Sequence, residues 1–176
     1  MRDSDGRDYD FERFSKGRIT LLSFIYTYCS DPLGCPLAYA TMHELRRRLL
    51  AAPELARHVR FVSLSFDPIH DTPEAMRRYA GPLADPASAL RWNFLTTDTL
   101  GQLQPLVEGF GQSVRLQRDK QGRATRLYSH MLKVFLIDAD GRVREIYSTA
   151  FLLADVVFND ITTLAMEREG LRSGRP

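Results

Sequence analysis

Cysteine is scarce in this chain, since only Cys29 and Cys35 occur among 176 residues. Small domains that depend on disulfides are much shorter and richer in cysteine, because they cannot bury a sufficient core. Closing the ring from Cys29 to Cys35 would contribute roughly 2 to 2.5 kcal/mol, against a typical domain stability of about 5 to 15 kcal/mol. A disulfide would help this domain, but the fold does not need one.

The chain also lacks long apolar runs and an excess of charge. No run approaches the ~18 apolar residues that span a membrane, and the amino terminus has no apolar core of a signal peptide. The formal net charge is +2, and lysine occurs only three times. The run Arg46-Arg47-Arg48 lies in a predicted amphipathic helix without stacking aromatic residues, which favours a solvated helix face over a nucleic-acid patch. We therefore expect no nucleic-acid partner and no membrane span in this chain.

Buried strands alternate with helices along the sequence. The apolar runs predict strands at 19–26, 59–66, 93–96, 132–138 and 142–147. Helical spacing predicts helices from 36 onward, from 72 or 73, over 98–110 and over 154–169, and a polar hairpin is expected around 119–122. This order predicts an α/β fold, a thioredoxin-like three-layer sandwich with a central mixed β-sheet. We expect a single domain over residues 1–170 and a flexible tail over 171–176.

Both cysteines follow the first buried strand, where active sites of open α/β sheets gather. Cys35 precedes Pro36 and a helix, so the helix dipole should favour its thiolate. The spacing leaves three interpretations open: an inert disulfide, a redox couple, or two ligands of a metal site.

Of the four histidines, one is a candidate ligand. His43, His58 and His70 are interpreted as ordinary imidazoles at or near the surface. His130 precedes the strand 132–138, where a loop of this architecture approaches the cysteines. Two thiolates and a neutral imidazole suit Cu(I), and they form a plausible incomplete set for Zn(II).

Four segments together resemble the Sco/SenC family, thioredoxin-like proteins that handle copper during assembly of cytochrome c oxidase. They are LLSFIYTYCSDPLGCP, VSLSFDPIHDTPEAMRRYAG, RWNFLTTDTLGQL and YSHMLKVFLIDADGRVREIY. The resemblance implies that Cys29, Cys35 and His130 bind copper. We expect Cu(I), and whether Cu(II) also binds is left open by the sequence. It makes Asp67 and Asp71 candidates for supporting the ligands or for docking a partner. For Asp71 a helix-capping role is the simpler interpretation, and Thr72 is an equally plausible cap.

Two features depart from the family pattern. Family members usually have three residues between the cysteines, whereas this chain has five, and the longer loop need not hold the sulfurs at the same separation. Met131 stands where the family often has serine. Its thioether is either a weak soft ligand or, as we favour, a packing residue.

The resemblance also bears on the chain's start and location. Residues 1–7 resemble the domain's first hairpin, so we expect that this sequence lacks an exported leader. Family domains are exported and often tethered, which predicts a periplasmic protein or one anchored to the membrane and facing the periplasm. A cytosolic protein with reduced cysteines is the alternative.

Three functions therefore remain. The first is a copper chaperone that delivers copper to the copper-bearing subunit of cytochrome c oxidase, or to another cuproprotein, with a thiol–disulfide reductant as a further partner. The second is a thiol–disulfide oxidoreductase or thiol peroxidase with Cys29 and Cys35 as its redox pair. Against it, the spacing is not Cys-x-x-Cys, and residues 127–135 contain no proline to present a substrate backbone. The third is a non-catalytic binding domain with a structural disulfide.

Overall fold

A computed structural model describes residues 1–173 of the chain, with residues 126 and 171–173 described by their backbone alone. Eight strands are present in this range: β1 Arg2–Asp3, β2 Ile19–Ile25, β3 Val59–Ser65, β4 Arg91–Thr96, β5 Val114–Arg118, β6 Ala124–His130, β7 Lys133–Ile137 and β8 Val143–Ser148. The helices are α1 Phe11–Ser15, α2 Cys35–Leu50, α3 Pro53–Ala56, α4 Pro73–Ala80, α5 Leu100–Gly109 and α6 Ala154–Ser173, with a 3₁₀ turn at Gly81–Ala84.

Six of the strands form one mixed sheet in the order β1-β4-β3-β2-β7-β8. The central strands β2, β3 and β4 are parallel, with Leu21 opposite Phe61 and Phe61 opposite Trp92. Strand β7 runs antiparallel to β2, and β8 pairs with β7 as a hairpin. Every residue of β2 and β3 is buried, as strands covered on both faces require. The predicted α/β fold with a central mixed sheet is confirmed.

Aromatic contacts show that helical segments cover both faces of the sheet. On one face, Tyr39 of α2 packs against Trp92 at a ring-centroid distance of 5.6 Å. On the other face, Phe110 at the end of α5 packs against Phe24 and Phe135 at 5.6 and 4.9 Å. The sheet is thus the middle layer of three, and its apolar side chains form the core.

The amino terminus forms a small hairpin that joins the sheet. Arg2 bridges Asp8, and the Tyr9 amide donates to the Met1 carbonyl oxygen at 2.7 Å. The first arm of this hairpin is β1, and its other side pairs antiparallel with β4. The first hairpin expected from the family resemblance is therefore present, although its strand is only two residues long.

Several boundaries differ from the sequence predictions. The polar hairpin around 119–122 has two full arms, β5 and β6, which pair with each other outside the six-stranded sheet. The helices α1 and α3 were not predicted, because segments of five and four residues are too short for a periodic pattern. Helix α6 continues past the predicted end at 169 to Ser173, whereas residues 174–176 of the expected tail lie outside the described part of the chain. The domain division at residue 170 stays a prediction.

Within residues 1–173, none of the helices combines the length and the apolar content needed to cross a membrane.

Candidate metal centre

The two cysteines lie on a tight loop between β2 and α2. The Cys29 amide donates to the Tyr26 carbonyl oxygen at 3.1 Å, and the Gly34 amide donates to the Asp31 carbonyl oxygen at 2.9 Å. A Cβ atom at position 34 would meet Asp31 atoms at 3.3 Å, so a side chain there would be crowded. The five residues between the cysteines therefore fold as a compact turn that directs Cys35 to the first position of α2.

The structure brings the three predicted ligands together. Ligand atoms of Cys29, Cys35 and His130 all lie within 4.8 Å of one another. The Cys35 Sγ atom is 3.9 Å from the His130 Nε2 atom, although 95 residues separate them. With metal–sulfur and metal–nitrogen bonds of about 2.3 and 2.05 Å, a trigonal ion would hold these two atoms ~3.8 Å apart. The observed spacing therefore fits a single shared ion with little rearrangement.

The cluster is partly enclosed by aromatic rings. Cys35 is 1% exposed, whereas Cys29 and His130 are half-buried. The His130 ring lies 4.9 Å from the Phe66 ring and 6.0 Å from the Tyr26 ring. One side of the site is thus an apolar wall, and Cys29 and His130 remain reachable from solvent.

Burial sets the protonation of the ligands. It raises the pKa of the Cys35 thiol, against the smaller opposing effect of a backbone hydrogen bond at Tyr26. The expectation that the helix dipole favours a Cys35 thiolate is therefore wrong for the metal-free protein, because desolvation outweighs the helix end. Burial also lowers the pKa of His130, which keeps its imidazole neutral and able to bind a metal.

Asp71 fastens the cysteine loop to the neighbouring strand. Its carboxylate accepts hydrogen bonds from the Thr27 amide at 3.0 Å, the Thr27 hydroxyl at 2.6 Å and the Ser65 hydroxyl at 2.5 Å. The capping interpretation of Asp71 is wrong, since Thr72 caps α4 by accepting from the Ala75 amide at 3.3 Å. The buried carboxylate instead holds β2 and β3 together where the loop begins.

Asp67 organises a second group of polar side chains. It is completely buried; its Oδ2 atom accepts from the Tyr28 hydroxyl, and the His70 Nδ1 atom lies 2.7 Å from that oxygen. The Asp67 amide donates to the Ser65 hydroxyl at 3.0 Å. Neither Asp67 nor Asp71 is among the three clustered ligands.

Thr27, Tyr28 and Ser65 were not singled out in the sequence. Thr27 and Tyr28 lie next to Cys29 in the sequence, and this proximity is the feature that indicates a role near the site. The role of Ser65 depends on contacts across the sheet.

The remaining sequence candidates lie elsewhere. Met131 is 65% exposed, so the favoured packing role for it is wrong. The cluster of possible metal ligands found within residues 1–173 does not include His43, His58 or His70. The Arg47 and Arg48 side chains pair with Glu44 at 2.8 and 2.7 Å, which agrees with a solvated helix face.

The mixed sheet and the dithiol–imidazole cluster beyond the carboxyl end of β2 define a class of protein, the thioredoxin-like domains with a thiol-based site. A sequence model of one family, SCO1/SenC, matches residues 1–166. The chain therefore belongs to the SCO1/SenC family, as the sequence resemblance predicted.

Individual proteins agree with this assignment. A SCO1 protein homolog of Bacillus subtilis is 29% identical over 148 residues, which cover 84% of this chain and 70% of that protein. A SCO1/SenC family lipoprotein from Bacillus anthracis is 25% identical, with a TM-score of 0.72 over 93% of this chain and 90% of that one. ScoI of Bradyrhizobium japonicum, solved with copper bound, is 24% identical, with a TM-score of 0.73 over 93% of this chain and 94% of that one.

Proposed function

We propose that this protein binds copper through Cys29, Cys35 and His130. The observation that carries the proposal is the convergence of two thiols and a neutral imidazole within 4.8 Å. Soft sulfur ligands in a set of three suit Cu(I), which accepts low coordination numbers, whereas structural zinc sites usually have four protein ligands. Cu(II) is a second state of the same site. The copper-bound ScoI relative supports this assignment.

Binding of copper by Cys35 releases the proton of its thiol. Burial raises the pKa of Cys35, so at neutral pH the metal must displace the thiol proton. A neutral imidazole has one nitrogen without a proton, so His130 can bind the metal without a net loss of a proton. Copper retention should therefore increase with pH, because the competition with protons weakens.

The copper is cargo for a second protein. Family membership supports delivery to the copper-bearing subunit of cytochrome c oxidase or to another cuproprotein. The partial exposure of Cys29 and His130 fits this role. A recipient's ligands can reach the ion from the solvent side, while Cys35 still binds it from the buried side. A thiol–disulfide reductant is a required partner, since an oxidised cysteine pair offers no thiolate ligands.

We place the protein on the periplasmic side of the membrane, free or anchored. The Bacillus anthracis relative is named a SCO1/SenC family lipoprotein, and this name supports a membrane-anchored form. Detection of the native protein in the cytosolic fraction would contradict it.

In this proposal, Asp67 and Asp71 position the loop that carries Cys29. Asp71 fixes Thr27, two residues before Cys29, and Asp67 fixes Tyr28, which directly precedes Cys29. Their carboxylates set the position of the loop without binding copper.

A chelator competition tests the copper site. The reduced protein should retain one Cu(I) against a chromophoric chelator, and His130→Ala should weaken that retention at least about tenfold, as the loss of one of three ligands requires. His43→Ala is the matched control, because His43 is an exposed imidazole on α2 outside the cluster. Equal retention by the His130→Ala and His43→Ala proteins would refute the assigned ligand set.

A thiol–disulfide exchange function is the second candidate. Both cysteines are free thiols, and their sulfurs lie within 4.8 Å of each other. In the exchange, Cys29 would attack a partner's disulfide, and Cys35 would then displace the partner thiol as the internal disulfide forms. The partner gains two electrons and two protons, which the cysteine pair loses. A turnover assay in which Cys29→Ser abolishes a clear rate would favour this function.

A further inference from the structure

A cationic cavity lies at the end of the sheet opposite the metal centre. It adjoins the amino-terminal ends of β2, β3 and β4, whereas the cysteines follow the carboxyl end of β2. Strand β3 has seven residues, so the two sites are separated by about 20 Å. The cavity has a volume of about 510 Å³, which is within the usual range for small-molecule sites. Its lining includes Tyr9, Arg18, Arg60, Ser88, Arg91 and Asn93.

Three arginines give this cavity its charge, and none of the described residues that line it is a carboxylate. Within residues 1–173, Arg18, Arg60 and Arg91 form no ion pair, in contrast to Arg47 and Arg48 on the surface of α2. At the cavity's edge, Tyr9 donates its hydroxyl to Asp3 at 2.9 Å. The other oxygen of Asp3 already accepts two backbone amides, so this carboxylate is committed to its own turn.

Arg60 is the unusual member of the set. It is 9% exposed, its guanidinium lies 4.5 Å from the centre of the Phe14 ring, and its Nη2 atom donates to the Lys16 carbonyl oxygen at 2.8 Å. Its Nε atom is buried and has no hydrogen-bond partner in the described part of the chain. Burial and the neighbouring Arg18 lower the pKa of Arg60 to about 10. A buried cation beside another cation and with an unused donor is costly unless something compensates it.

Further donors surround the arginines. The Arg91 Nη1 atom donates a hydrogen bond to the Pro86 carbonyl oxygen. The Asn93 amide and the Ser88 hydroxyl also line the cavity. Guanidinium groups match the oxygens of phosphate with paired hydrogen bonds, and a phosphate offers more acceptor oxygens than a carboxylate does.

We propose that this cavity binds a phosphate group, carried by a small molecule or by a lipid headgroup. Arg18 and Arg91 contact the phosphate from the accessible side, and Arg60 supplies the buried positive charge behind them. The proposal is independent of copper binding, because no residue of the cavity belongs to the metal centre or to the side chains that hold it.

Calorimetric titration of the full metal-free chain with pyrophosphate tests the proposal. We expect saturable binding at one site that weakens as salt increases. Arg18→Gln and Arg91→Gln should each lower the affinity by about 10- to 100-fold, as loss of a charge-assisted contact implies. Both arginines are only half-buried, so these variants should fold, which circular dichroism will verify.

Arg78→Gln is the matched control, since Arg78 is exposed on α4 and lies 3.9 Å from Glu74. Copper retention by Arg18→Gln should equal that of the wild-type protein, which separates this proposal from the function of the metal centre. No saturable pyrophosphate binding, or equal affinity in the Arg18→Gln and Arg78→Gln proteins, would overturn the cavity assignment.

Vesicles distinguish the two sources of phosphate. Binding to phosphatidylglycerol vesicles that pyrophosphate and Arg18→Gln both abolish would identify a lipid headgroup as the ligand. Pyrophosphate binding without vesicle binding would identify a small phosphorylated molecule. Either result supports the phosphate site.

Discussion

Removal of the Asp71 carboxylate should destabilise the protein far more than removal of a helix cap. Asp71 is completely buried and accepts three hydrogen bonds, two from Thr27 and one from Ser65. In Asp71→Ala, the Thr27 amide loses its acceptor in the interior, and two hydroxyls lose theirs. Hydrogen bonds to charged groups contribute about 1.5 to 3 kcal/mol each, but the hydroxyls can rotate toward other acceptors. We therefore expect a loss of about 3 to 5 kcal/mol in the free energy of unfolding.

Urea denaturation of the reduced, metal-free protein measures this loss. With an m-value of about 2 kcal/mol/M, the midpoint should fall by roughly 1.5 to 2.5 M. Asp71→Asn should lose less, because an amide oxygen in the Oδ2 position still accepts from the Thr27 amide and the Ser65 hydroxyl.

Thr72→Ala provides the control for the capping interpretation. Thr72 is the neighbouring residue and the observed cap of α4, and loss of such a cap costs about 1 kcal/mol. If Asp71→Ala lowers the free energy of unfolding no more than Thr72→Ala does, Asp71 does not hold β2 and β3 together, and the reasoning is refuted.

Two further predictions concern the cysteines and the last helix. Iodoacetamide should modify Cys29 before Cys35, because Cys35 is 1% exposed and burial raises the pKa of its thiol. Modification of Cys35 should accelerate as the pH rises. Mass spectrometry of the peptides after a short exposure to iodoacetamide checks the order. Faster labelling of Cys35 would show that its burial does not govern its reactivity. Tyr147→Phe should lower the unfolding free energy by about 1 to 2 kcal/mol, since the Tyr147 hydroxyl donates to Asp160 at 2.7 Å and joins β8 to α6. Thr163→Ala, on the exposed side of α6, should change it by less than about 0.5 kcal/mol in the same urea experiment, and equal losses would contradict the assigned contact.

Local sequence patterns were sufficient for the central elements. The apolar runs that became β2 and β3 have no polar face, and this pattern alone indicates strands covered on both sides. Pro73 after Thr72 indicates a helix start, although the pattern did not decide between Thr72 and Asp71 as the cap. These predictions succeed because dihedral preferences and apolar periodicity act over a few residues.

Predictions about single side chains depended on distant contacts. A helix end next to Cys35 favours a thiolate, but the burial that reverses this preference comes from other parts of the chain. Met131 is apolar and precedes a buried strand, yet it is exposed, and it lies in the short connection between the end of β6 and the start of β7. Neither the burial of Cys35 nor the exposure of Met131 follows from the residues next to it in the sequence.

The sequence by itself determined the family, the strand–helix order and the three candidate ligands, because each is encoded in short motifs. Tertiary structure alone decided that Cys35 and His130 approach to 3.9 Å across 95 residues, that Asp71 fastens the loop from 44 residues away, and that three arginines share one cavity. Such contacts depend on strand order and register, since pairing across a sheet joins residues with no relation in sequence. The five-residue loop between the cysteines illustrates both parts. Its length is visible in the sequence, but only the folded turn shows that this length still brings the two thiols together with His130.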